Sequence, residues 1–276
     1  MDIIQKIKES GLAGRGGAGF PTWQKWEAVK NALGDKKYVI CNASEGEPGA
    51  MKDGFILENY PEEVVNGVKI ALETFRNSEA YIYLRKDYYD KFKEKLVELT
   101  KNLPITLFRE PGGYLCGEES TLIESIEGHR FEPRNKPPFP TEKGLYGCPT
   151  LVNNLETFYW ISKIFKDEYR GNRFYSLSGN ISNPGVFEFS EGFSIEKIFK
   201  ETNNYPEKEF FIQVGGGESG IVLTDKELDN KVCGAGVIIV YDKEKTNPKE
   251  LMKKWIDFYF NENCGKCTPC REGVYR

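Results

Sequence analysis

Residues 36–44 read KKYVICNAS, residues 61–75 read PEEVVNGVKIALETF and residues 79–86 read EAYIYLRK. The first has the apolar centre of a strand. The second opens on proline and carries apolar residues at helical spacing. The third is again a strand. The alternation continues through YYDKFKEKLVELTKN (88–102), an amphipathic helix, and PITLFREP (104–111), a strand. GGYLCGEESTLIESIEG (112–128) then runs from loop into helix. Strands alternating with helices predict an α/β layer with a parallel sheet. Upstream, IIQKIKESGL (3–12) reads as a short helix ended by Gly11, and WQKWEAVKNAL (23–33) as a second helix.

Beyond this layer, RFEPRNKPPFPTEKGLYGCPT (130–150) is too rich in proline and glycine for regular structure. Long loops of this kind are often functional. LVNNLETFYWISKIF (151–165) returns to helix. From about Arg173 the character turns to short β runs: RFYSLSGNISNPGVFEF around an Asn-Pro-Gly turn, then a helix over FSIEKIFKET, then FFIQVGGGESG and GAGVIIVYD. KELMKKWIDFYFNEN (249–263) is a final helix leading into CGKCTPC.

Composition excludes several function classes. With 39% hydrophobic residues the chain can bury a core, and its net charge of −4 argues against a dedicated nucleic-acid binder. No apolar run is long enough to span a bilayer, and MDIIQKIKES lacks the apolar block of a signal peptide. The expectation is a soluble, cytoplasmic protein or subunit. His129 is the only histidine, which removes most zinc catalysis and Ser-His-Asp hydrolysis. Chemistry has to run on carboxylates, cysteines or a bound cofactor.

Gly14, Gly16 and Gly19 satisfy G-x-G-x-x-G. The dinucleotide fingerprint needs a strand before that loop, and here a helix precedes it. Consecutive glycines still allow backbone N–H groups to approach an anion, next to the positive end of the following helix. Arg15 and Lys25 add charge. The plain alternative is a flexible loop between helices. Cys264, Cys267 and Cys270 match the first three ligands of a [4Fe–4S] run, with zinc the alternative. Cys41, Cys116, Cys148 and Cys233 stand singly and read as buried free thiols.

GRGGAGFPTWQKW, CNASEGEPGAMKD, GGYLCGEESTLIESIEG, PPFP, LVNNLET and CGKCTPCREG occur in this order. Together they resemble the NADH-binding flavoprotein subunit of respiratory complex I. They are equally similar to the diaphorase subunits of NAD-linked and electron-bifurcating hydrogenases and of NAD-dependent formate dehydrogenases. The resemblance runs from about Gly11 to the last residue. It implies a Rossmann-like FMN- and NADH-binding domain over 1–172 and a β-grasp, ubiquitin-like module over 173–246. The beginning of a helical [4Fe–4S] domain would occupy 247–276.

By the same resemblance, the backbone of Gly14, Arg15, Gly16 and Gly17 lies near the flavin, with Lys25 on the phosphate side. Asn42, Ser44 and Glu45 would border the cofactor. Tyr114, Gly117, Glu118 and Glu119 would line the flavin and nicotinamide pocket, and Val152, Asn153 and Asn154 would close it. Glu47 would contact NADH, with Glu47 and Glu119 orienting it, and Phe20 and Phe139 would flank the adenine. Several of these residues also have a bland reading. EGEP can be a solvated acidic turn, GEES and LVNN helix caps, and Phe139 a loop anchor. The implied reaction is FMN-dependent oxidation of NADH, or its reverse. Electrons would pass to iron–sulfur subunits of a complex, including a thioredoxin-like [2Fe–2S] subunit. Hydride moves between cofactors, so no catalytic side-chain acid or base is required.

The family's fourth cluster cysteine lies downstream, and no residue follows Arg276. The expectation is a fragment, or a variant without its helical C-terminal domain. Three departures from the family pattern involve four positions. Ser44 stands where NADEGEPG has Asp, Trp23 and Gln24 replace Gly-Leu, and Ala28 replaces a Phe that stacks on adenine. The lost stack costs about 0.5–1.5 kcal/mol. Ser44 and Ala28 motivate the competing expectation, a non-catalytic electron-transfer or assembly subunit with a degenerate nucleotide site. GGGESG (215–220) reads as a structural turn, since no Lys-Ser or Lys-Thr pair follows it.

Overall fold

A computed structural model describes residues 2–276 as two compact units. The first contains the chain up to Gly46 together with Asp53–Gly171, and the second contains Glu47–Lys52 with Asn172–Arg276.

In the first unit, α1 (Ile3–Ser10) ends at Gly11, whose φ of 69° makes the left-handed cap. α2 (Thr22–Asn31) follows the glycine loop. β1 (Lys37–Ala43) is buried along almost its whole length, as a strand covered on both faces requires. The next elements are α3 (Lys52–Asn59), α4 (Pro61–Thr74), β2 (Ser78–Leu84), α5 (Lys86–Thr100) and β3 (Ile105–Arg109). A single 3-10 turn over Tyr114–Gly117 precedes α6 (Glu119–Ile126). α7 (Pro140–Lys143) lies in the proline-rich segment, β4 spans Thr150–Asn154 and α8 Leu155–Phe165.

The sheet order is β3-β2-β1-β4, and all its pairs are parallel. β4 is the element that the sequence reading merged into the following helix. It has five residues and passes straight into α8 at Asn154, so strand and helix periodicity overlap there. It pairs with β1 from Tyr38↔Thr150 to Asn42↔Asn154. The chain therefore leaves β1 toward β2 on one side and meets β4 on the other. That is a topological switch point, where open α/β sheets bind ligands at the strands' carboxyl ends. α8 is buried nearly all round. α4 crosses it so closely that a Cβ at Gly67 would lie 2.0 Å from the Phe158 carbonyl oxygen.

The second unit has β5 (Asn172–Gly179), β6 (Gly185–Ser190), α9 (Ile195–Glu201), β7 (Phe210–Val214), β8 (Ile221–Thr224) and β9 (Val237–Asp242). The order is β6-β5-β9-β7-β8, with β5 and β9 parallel and the other pairs antiparallel. This is the β-grasp arrangement: the hairpins β5–β6 and β7–β8 flank the central β9, which runs parallel to β5, and α9 packs on the sheet. Its core gathers Tyr175, Leu177, Ile198, Phe199, Ile212, Val214 and Ile238. α10 (Pro248–Glu262) and α11 (Thr268–Gly273) complete the unit. Among the described residues no helix is long and apolar enough to cross a membrane.

Candidate functional site

The glycine loop is closed at its base by the Ala13↔Pro21 bridge and by hydrogen bonds from Gly14 N–H to Phe20 O (2.8 Å) and from Thr22 N–H to Leu12 O (3.1 Å). Gly17 (φ 111°) and Gly19 (φ 64°) hold left-handed conformations that need glycine. The loop lies against the first turn of α8. Arg15 N–H donates to Thr157 Oγ1 (3.0 Å), and a Cβ at Gly16 would reach 3.5 Å from Asn154 Cβ. The loop thus adjoins a second helix N-terminus, a feature the sequence does not reveal. The Arg15 side chain takes no part in the outer surface of the loop. It is 3% exposed, 3.9 Å from the fully buried Glu156 carboxylate, and it bonds the Tyr169 hydroxyl at 3.0 Å. Its charge compensates Glu156 in the interior, as a buried carboxylate requires.

Lys25 reaches the switch point, donating to Glu119 Oε2 (2.7 Å) and the Val152 carbonyl (3.3 Å). Lys136 donates to both Glu118 Oε1 (3.0 Å) and Glu119 Oε1 (2.8 Å). Burial opposes ionisation of Glu119, but Lys25 and Lys136 outweigh it and hold its carboxyl below the usual range. Glu118 caps α6, accepting the N–H groups of Ser120 (2.9 Å) and Thr121 (2.8 Å). Burial opposes its ionisation too, and the Ser120, Thr121 and Lys136 bonds prevail.

The end of β1 meets the turn before α6: Asn42 Nδ2 donates to Gly117 O (2.8 Å), and Ser44 N–H donates to Asn42 Oδ1 (3.0 Å). A Cβ at Gly117 would stand 3.0 Å from Ser44 O, and one at Gly46 3.4 Å from the Tyr114 backbone. Glu45 is 6% exposed and its carboxylate is engaged by protein. It accepts from the N–H groups of Asp53 (3.0 Å) and Gly54 (3.3 Å) and from the Tyr88 hydroxyl (2.7 Å). It orders the acidic turn against the start of α3.

Asn154 both caps α8, accepting Glu156 N–H (3.0 Å), and donates to Asp53 Oδ2 (2.8 Å). Asn153 Oδ1 accepts from Trp26 Nε1 (3.0 Å). The capping reading of LVNN thus holds at Asn154. Phe20 and Phe139 are 46% and 50% exposed, available to a flat ligand face. Of the three departures, Trp23 has Lys8 over its ring at 4.4 Å and Ala28 is exposed. Ser44 donates its hydroxyl to Glu110 Oε2.

Glu47 belongs to the second unit. Its Oε1 accepts from Glu218 N–H (3.2 Å), Ser219 N–H (3.2 Å) and Ser219 Oγ (3.0 Å). The GGGESG run is therefore a cradle for a carboxylate of the same unit. Cys264 and Cys267 lie in the turn after α10, and Cys270 lies on α11; none of the three is in a disulfide. Arg271 ties the turn by donating to Gly265 O (3.0 Å). Three cysteines at two-residue spacing across this turn and the first turn of α11 are the residue type and spacing of an iron–sulfur ligand set. The Cys233 thiol lies instead beside Val214 O (3.9 Å). A cavity of about 490 Å³ is bordered by Glu127, His129, Arg134 and Tyr146. Its acids are already matched, because Arg134 bonds both Glu124 and Glu127.

Residues 7–163 match the Nuo51 FMN-binding domain, and residues 250–276 match the NADH-ubiquinone oxidoreductase-F iron-sulfur binding region. Across 99% of its length the chain is 35% identical to an NADH-quinone oxidoreductase F subunit of Rhizobium meliloti, covering 74% of that protein. It is 37% identical to the NADH-quinone oxidoreductase F subunit of Aquifex aeolicus, covering 72% of it. The chain belongs to the family of NADH-quinone oxidoreductase F subunits. A structure of an NAD+-reducing [NiFe]-hydrogenase in its H2-reduced state superposes with a TM-score of 0.89 at 32% identity. That likeness covers 99% of this chain and 52% of the other, so the chain spans about half the neighbour's length. The FMN-binding family segment contains the glycine loop, the end of β1, the turn before α6 and the β4–α8 junction. Those are the four pieces that meet at the switch point.

Proposed function

We propose that this chain oxidises NADH with FMN held at the carboxyl edge of its parallel sheet and delivers the electrons to an iron–sulfur cluster on Cys264, Cys267 and Cys270. One observation carries the reading. Four segments far apart in sequence are joined at one switch point by the Asn42–Gly117, Arg15–Thr157 and Lys25–Glu119–Val152 contacts. FMN, when bound, supplies an acceptor for two electrons that can be released one at a time.

The residues bind and orient. Gly14, Arg15, Gly16 and Gly17 present backbone to the cofactor, because no side chain bars the approach at the glycines. Lys25 brings positive charge for a phosphate group. Asn42, Ser44 and Glu45 border the ring, and Tyr114, Gly117, Glu118 and Glu119 line the pocket. Val152, Asn153 and Asn154 close it. Phe20 and Phe139 flank the adenine. The Lys25–Glu119–Lys136 chain keeps Glu119 ionised, so it accepts hydrogen bonds and does not donate them. Domain bounds of 1–172, 173–246 and 247–276 go with this division of labour.

The quinone-oxidoreductase relatives and the hydrogenase neighbour support work as one subunit of a larger oxidoreductase. A thioredoxin-like [2Fe–2S] subunit would be the adjoining carrier, and the location would be cytoplasmic, at the face of a membrane complex. Mixing FMN-loaded protein with NADH without oxygen tests the proposal. The flavin's visible band should bleach. Bound flavin whose spectrum does not change would favour the non-catalytic electron-transfer reading.

A further inference from the structure

Glu110 is a buried carboxyl that the reading above leaves without a role. It follows β3 directly, and its N–H donates to Leu84 O (2.9 Å), so it is fixed at the carboxyl edge of the sheet. It is 4% exposed. Gly112 (φ 113°) and Gly113 (φ 110°) turn the chain from there into the Tyr114–Gly117 turn. The Glu110 carboxyl meets the Ser44 hydroxyl, which donates to it. Ser44 in turn is fixed by its N–H bond to Asn42 and by the close approach of Gly117.

A serine hydroxyl has one proton and two lone pairs. Once the proton is committed to Glu110, the lone pairs of Ser44 Oγ are left only to accept. Ser44 then presents the hydrogen-bond polarity of an aspartate, the residue that the family pattern has at this position. We propose that Glu110 is a positioning residue of the flavin site: it fixes the Ser44 hydroxyl as an acceptor for a hydrogen-bond donor of FMN. This rests on the FMN reading above.

Burial pushes the Glu110 carboxyl upward, while the Ser44 bond, Arg85 and the Lys86 N–H act the other way. Asp87 adds to the upward push, and the Tyr83 phenol also faces the group. A protonated Glu110 can donate to Ser44 Oγ and release the serine proton outward. That reverses the polarity offered to the ligand, so FMN affinity should fall as pH drops into the Glu110 range.

The test is FMN dissociation constants, from quenching of flavin fluorescence, between about pH 5 and pH 8. Glu110→Ala and Ser44→Ala should each weaken binding about tenfold at the upper end, and the double variant should be no worse than either single change. Glu110→Gln still offers an acceptor to Ser44. It should bind FMN nearly as the parent does at high pH and lose the decline at low pH. Additive single effects, or Glu110→Gln keeping the parent's pH profile, would overturn the proposal. So would affinities within about twofold of the parent's in both alanine variants. If the parent itself takes no FMN, the cofactor reading fails, and that outcome is recognisable before any variant is measured.

Discussion

Two glycine runs of similar composition do opposite things in this molecule. In the loop before α2, a Cβ at Gly19 would meet nothing within 4 Å, and one at Gly16 only an ordinary contact at 3.5 Å. Those glycines leave space open. In the run after β7, a Cβ at Gly216 would lie 2.1 Å from Glu47 Oε1, one at Gly217 2.2 Å from Pro48 O and one at Gly220 2.4 Å from Gly216 O. Those glycines let the chain close on itself. The second run is shaped for the chain's own Glu47–Pro48 turn, and the first is open on the side that the proposed cofactor would take. Composition alone does not separate the two cases; what separates them is which atoms face the missing side chain.

The strongest way to break this contrast is Gly217→Ala. The added methyl meets backbone, which cannot swing aside, so stability should drop by about 1–3 kcal/mol or more in urea unfolding. An unchanged midpoint would remove the closed-run reading. Gly16→Ala probes the other side. It should leave unfolding of the ligand-free protein within about 0.5 kcal/mol of the parent. FMN affinity should nonetheless fall about tenfold, or ~1.4 kcal/mol. A variant that loses stability but keeps affinity would reverse the assignment.

The finest probe is Glu218, in the closed run. It is 8% exposed, and its Oε2 has no hydrogen-bond partner among the described residues. Burial raises its carboxyl above the ordinary range; Lys254 opposes the rise and Glu47 adds to it. A carboxyl raised in the folded state contributes stability that is fully present below its unfolded value, and this is lost as pH climbs through the folded value. Relative to Glu218→Gln, the parent should therefore lose stability as pH rises above about 4.5. Parallel curves for the two proteins would show that this carboxyl stays solvated.

Much of the fold is legible from residues in order. The apolar centre of KKYVICNAS, the spacing in PEEVVNGVKIALETF and the proline before VVNG each agree with β1 and α4 as found. Short elements are less legible. β4 and β8 have five and four residues, too few to establish a period, and α3 lies inside the acidic segment. At the site, residue types are visible in the motifs but their partners are not. Arg15 reads as a loop charge, yet it is buried with Glu156. Glu45 reads as a ligand group, and no signal in the sequence shows that its carboxylate also holds the N–H groups at the start of α3. Glu110 lies in the strand-like PITLFREP and gives no signal until Ser44 is seen beside it.

The sequence by itself determined the element types of the long segments, the glycine positions, the cysteine spacing and the order of motifs that marks the family. These depend on neighbours along the chain, where periodicity and backbone freedom act directly. The tertiary structure alone decided that β4 lies beside β1, that the glycine loop faces α8, and that Lys25, Glu119 and Val152 meet. Those contacts join residues more than ninety positions apart. They arise because a parallel sheet brings the carboxyl ends of its strands to one edge, whatever their separation in sequence.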